Sequence, residues 1–245
     1  KYNNDIMLDV DLFKKVEYVY KKLNPEMSKQ DQKLTEVWYK EFIRNGALLD
    51  TTKKDELRQI DEELSVLSPN FQNNNLNATN AYELWLSEGD LAGLPSTAIE
   101  AAEIAAKAKG KKDKFLITLQ ATSFQPFITF SENRDLRREI FTAFTSKCNG
   151  DEFDNTSIVK QIVKLKHKRA RLLGYENFAD YVLEKRMAEN QKSIYKLLDD
   201  LYDSCFENAK AELKAVKKIA FDLDGVTDFQ KWDFPYYSEK LKMKL

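Results

Sequence analysis

The stretch from Lys164 to Ala188, KLKHKRARLLGYENFADYVLEKRMA, restricts the fold more than any other part of the chain. Ile158, Ile162, Leu165 and the Leu172–Leu173 pair recur at helical spacing with Lys and Arg between them. Gly174 then follows two leucines. Only glycine enters the left-handed region without steric cost, so Gly174 is expected to close that helix, with Tyr175 packing back on its last turn. Asn177 is placed to cap a second helix over about Phe178 to Met187, because its side-chain oxygen can accept a bond from a free backbone N–H. The pattern is helix, tight corner, helix.

The same periodicity runs through most of the chain. A helix is expected over residues 6–23, ended by Asn24-Pro25. A second starts near Ser28 and stops at Asn45-Gly46. A third runs from Thr51 through Leu57, Ile60 and Leu64 to Leu67. Its Asn-rich continuation from Phe71 to Ala78 reads as a kinked extension past Pro69 or as a loop. Residues 80–86 alternate apolar and polar, the period of a half-buried strand, and Phe115 to Leu119 is a second apolar run able to pair with it. Between them lies an Ala-rich helix opening at Leu94-Pro95-Ser96, with Thr97 and Glu100 at capping-box spacing. A short helix over Thr122 to Phe130 carries Pro126 in its expected first turn. Asn133 caps the next helix, which closes at Cys148-Asn149-Gly150, and Asn155 opens the helix to Gly174. Gln191 to about Ala220 is the longest helix. Ile194, Leu197, Leu198, Leu201, Cys205, Leu213 and Val216 form most of one stripe on it, and Asp224-Gly225 ends it. A last helix begins near Pro235 and runs to Leu245.

These elements predict a mainly α, multi-helix fold with a small two-stranded β element. The β element falls at about 80–119 and a helical part at about 122–245. Only 7 Gly and 5 Pro occur in 245 residues, too few for the turns of an all-β sandwich. Lys and Arg total 39 against 40 Asp and Glu. A balance this close offers no field of one sign, so neither nucleic acid nor an acidic membrane is an expected partner. No apolar run approaches the length of a membrane span. Cys148 and Cys205 are expected to be reduced thiols, each packed as a small hydrophobe. A cytoplasmic location is the default expectation for reduced cysteines with no signal peptide in view, the true N-terminus not being seen.

Two segments carry a resemblance. RARLLGYENFADYVLEKRMA, residues 169–188, resembles the M3 zinc metallopeptidases, the family of thimet oligopeptidase, oligopeptidase A and bacterial peptidyl-dipeptidase, in its Leu-Gly-Tyr corner, aromatic-Ala pair and Lys-x-Met-Ala run. WDFPYYSEKL, Trp232 to Leu241, resembles that family's Trp-Asp…Tyr-Tyr element. The resemblance implies a helical shell in two walls around a deep channel, with the matched residues largely in the wall opposite the zinc helix. It implies hydrolysis of short peptides, with release of C-terminal dipeptides slightly preferred over internal cleavage. The family's His-Glu-x-x-His helix lies C-terminal to the second element. On that basis the chain is expected to be an N-terminal region without the catalytic zinc domain.

The residues themselves assign no site. A zincin needs two imidazoles one helical turn apart and a glutamate beside them. The chain has one histidine, His167, among the five basic neighbours Lys164, Lys166, Lys168, Arg169 and Arg171. His167 reads as a solvated helix-face residue. No catalytic residue, no metal ligand and no substrate-binding residue is assigned. Zinc is expected in the parent enzyme and not on this chain, and the chain alone is expected to be inactive. Its expected partners are a short peptide substrate and the C-terminal catalytic part of the same protein. The basic run Lys107 to Lys114 reads as a helix C-terminus complementing the dipole. Phe124 to Phe130 reads as core, and Trp232, Phe234, Tyr236 and Tyr237 as helix anchors. The competing class is a non-catalytic helical scaffold that binds a peptide or protein along a groove.

Overall fold

A computed structural model describes residues 2–244; Lys1, Leu245 and the Asn3 side chain lie outside the description. Among the described residues are eleven α-helices and one two-stranded sheet. The chain divides into two compact units, each built from two separate segments.

The first unit takes Lys1–Phe71 and Ser157–Lys196. Two helices, α1 (Tyr2–Met7) and α2 (Val10–Lys21), stand where one was expected over 6–23. The break has a local cause. Asp9 is extended and its carboxylate accepts a bond from the Leu12 amide at 2.8 Å, which starts a new helix. Ser28 caps α3 (Lys29–Arg44) by accepting from the Asp31 amide. Met7, Phe13, Phe42 and Ala47 form a buried cluster of α1, α2 and the end of α3. Tyr39 stacks on Tyr20 at 3.9 Å between ring centroids. Asp50 accepts from the Lys53 amide at the head of α4 (Thr51–Ala81). That helix continues for 31 residues with Pro69 inside it, so the Asn-rich tract is helical and not a loop. Most of α8 (Thr156–Leu172), α9 (Phe178–Leu183) and the first turns of α10 (Gln191–Asp224) complete the unit. The α9 helix stops at Leu183, four residues short of the expected Met187.

The second unit takes Gln72–Thr156 and Leu197–Leu245. Strands β1 (Leu84–Leu86) and β2 (Phe115–Ile117) pair antiparallel, with Trp85 opposite Leu116. The alternation turns Leu84 and Leu86 into the core and leaves Trp85 half-buried. The Ala-rich helix α5 (Ser96–Ala108) packs on β2. Its N-cap is Pro95 with no side-chain bond, so Thr97 lies inside the helix and the expected Thr97–Glu100 capping box does not form. Helix α6 begins at Ala121 and ends at Phe130, which puts Pro126 in its interior rather than its first turn. Asn133 caps α7 (Arg134–Ser146), as its spacing predicts. Leu86, Ala102, Ile117, Phe127, Ile128 and Ile140 make one buried cluster of these elements. A second cluster joins Val216, Ile219 and Ala220 near the end of α10 to Tyr236 and Tyr237 of α11 (Phe234–Lys242). The expected run of this last helix to Leu245 falls partly outside the described residues.

The apolar stripe of α10 exists, but only its C-terminal end is covered. Leu197, Leu198, Leu201 and Tyr202 are each more than half exposed. Cys205 on the same helix is also exposed, against the expectation of a buried thiol.

Candidate functional site

Each of the two segments that carry the resemblance packs tyrosines against an arginine buried from another part of the chain. In the first unit, α8 ends in a Schellman corner. Gly174 has φ +90°, its amide donates to the Arg171 carbonyl, and the Tyr175 amide donates to the Ala170 carbonyl. Asn177 caps α9 by accepting from the Asp180 amide at 3.0 Å. The corner aims Tyr175 and Tyr181 at Arg44. Arg44 is 8% exposed and its guanidinium lies 4.0 Å from the Tyr181 ring centre. It donates to the Tyr181 carbonyl and to Glu184. The Tyr175 hydroxyl donates to the same carboxylate. Burial, and then this bond to Glu184, push the Tyr175 phenol up to about 12. Beside it, Arg169 donates to Asp61 at 2.6 Å.

In the second unit the centre is Asp233, which is fully buried. Arg134 grips it with two bonds, at 3.0 and 2.8 Å, and Arg137 adds a third at 3.3 Å. The Gln230 amide also donates to it at 2.9 Å. Burial alone would push this carboxyl up. Arg134, the Gln230 amide and Arg137 outweigh burial and hold it below the usual aspartate value. Arg137 is 1% exposed, lies 4.1 Å from the Tyr236 ring centre, and donates to the Ser131 and Glu132 carbonyls. The Tyr237 hydroxyl donates to Asp224 at 2.8 Å, and burial and that bond raise its phenol. Trp232 meets Phe141 edge-on. Together these contacts fasten α11 and the loop before it to α7 and the end of α10.

An open cleft of about 780 Å³ lies against this second cluster. Arg134, Tyr236, Lys240, Leu223, Val226 and Asp228 are among the residues that line it. Its charges largely neutralise one another: Arg134 is paired with Asp228 as well as Asp233. The arrangement is suited to positioning.

The other singled-out residues follow their structural readings. His167 is exposed on α8. Phe124, Phe127 and Ile128 are buried core, and so are Tyr236 and Tyr237, whereas Phe234 is 45% exposed. In the basic run, Lys107 pairs with Glu103, Lys109 with Glu83, and Lys111 lies over the Trp85 ring. Sequence reasoning missed Arg44, Arg134, Arg137 and Asp224. The side chains that pair with theirs are between 13 and 140 positions away, and no local pattern announces such a pair.

Residues 127–245 match the family model of peptidase family M3, a stretch that contains both matched segments. The chain is 34% identical to oligopeptidase A of Salmonella typhimurium over 84% of its own length and 31% of that protein's. It is 26% identical to dipeptidyl carboxypeptidase of Escherichia coli over 98% of its length and 36% of the relative's. Saccharolysin of Saccharomyces cerevisiae is 26% identical over 97% of the chain and 34% of the relative. The chain therefore spans about a third of the length of the curated relatives it matches. These findings make residues 127–245 similar to peptidase family M3, and most of the chain similar to part of its oligopeptidases.

The M3 resemblance implies zinc, and the residues present do not fit that ion. Among the described residues no three His, Cys, Asp or Glu side chains converge as a ligand set. The single imidazole points into solvent between lysines, and a tight site needs three or four converging donors. No helix among the described residues is long and apolar enough to cross a membrane.

Proposed function

We propose that the chain is the helical, channel-forming part of a zinc-dependent peptidase acting on short peptides. In this reading the catalytic zinc is held by residues outside these 245. The observation that carries it is the 34% identity to oligopeptidase A over 84% of the chain. The same figure favours an oligopeptidase over a peptidyl-dipeptidase, since dipeptidyl carboxypeptidase is 26% identical. A cytoplasmic location goes with this reading.

The test is hydrolysis of a short quenched-fluorescent peptide, with chelator and re-added zinc as controls. The purified 245-residue chain is expected to be inactive. A longer product of the same gene carrying His-Glu-x-x-His is expected to cleave and to lose activity with chelator. Chelator-sensitive cleavage by the 245-residue chain itself would overturn the proposal. The lack of a fitting donor set favours one second reading, a non-catalytic scaffold that binds a peptide or protein partner. An inactive longer product with an intact His-Glu-x-x-His would favour that reading.

A further inference from the structure

We draw no further inference here: the strongest candidate, the uncovered apolar face of α10 around Leu198, Leu201 and Tyr202, carries nothing because nothing in the structure shows what covers it.

Discussion

Arg137 and Arg44 occupy similar settings and differ in one respect. Each guanidinium is buried, each lies about 4 Å from a tyrosine ring, and each is held by a carboxylate and by backbone carbonyl oxygen. The carboxylates differ. Asp233 is fully buried and serves two arginines, whereas the Glu184 side chain is 51% exposed. Water can replace Glu184 as a partner for Arg44. It cannot readily replace Asp233 for Arg137. A buried charge that loses its partner is strongly destabilising, while an exposed ion pair contributes little. The second unit is thus expected to be pinned by its ion cluster, and the corner of the first by backbone geometry and aromatic packing.

The largest effect is expected from Asp233→Ala. It leaves Arg137 buried without its carboxylate and removes both of Arg134's bonds to Asp233. A cost of about 3–5 kcal/mol is expected in urea unfolding, with faster amide exchange in α11. Because the folded carboxyl sits below its unfolded value, its stabilisation is present above the ordinary aspartate range. It is lost as pH falls through the lowered folded value. Asp233→Asn should flatten that acid limb. An unchanged acid limb in the Asn variant would remove Asp233 as its source.

Glycine substitutions ask whether backbone geometry governs the first unit. Gly46 ends α3 with φ +97°, and an added Cβ would stand 2.8 Å from Leu57 Cδ2 and 2.9 Å from Leu49 Cδ1. Gly46→Ala combines backbone strain with overpacking and is expected to cost roughly 2–4 kcal/mol. Gly174 has φ +90°, but a Cβ added there would meet nothing within 4 Å. Gly174→Ala should therefore cost only the strain, about 1–2 kcal/mol. Equal costs in denaturant titrations would mean that the leucines around Gly46 yield freely.

Glu184→Ala is expected to cost about 1 kcal/mol or less, since its carboxylate is half in water. A loss as large as that of Asp233→Ala would erase the distinction between the two anchors. The smallest effect is alkaline. The Tyr175 phenol is raised to about 12, from about 10 when unfolded. Its contribution is full below the unfolded value and disappears as pH rises through the folded one. Tyr175→Phe should remove this alkaline dependence, seen as a flatter stability profile between those values.

Much of the architecture was legible because its causes are local. Ser28, Asn133 and Asn177 cap the helices their spacing predicts, and Gly174 takes the left-handed turn that two preceding leucines and a following tyrosine suggest. Errors arose where two local signals competed. Apolar periodicity ran straight across Asp9, but its carboxylate caught the Leu12 amide and restarted the helix. Pro69 is expected to kink its helix or open a loop and Pro126 to sit in a first turn, yet both lie inside helices. Around Pro126, Phe124, Phe127 and Ile128 are buried, and packing of this kind can outweigh a missing backbone bond.

The helical class, most helix boundaries, the small β element and the family resemblance are all written in the order of residues. Each rests on neighbours a few positions apart or on short matched segments. It took the folded chain to bring Arg44 to Glu184, to converge Arg134 and Arg137 on Asp233, and to leave much of the α10 stripe uncovered. The physical reason is distance along the chain. Asp233 lies 99 positions from Arg134 and Glu184 lies 140 from Arg44. A chain with 39 basic and 40 acidic residues offers far too many pairings for sequence to single these out. Burial selects them, because a charge removed from water must find its partner within hydrogen-bond reach.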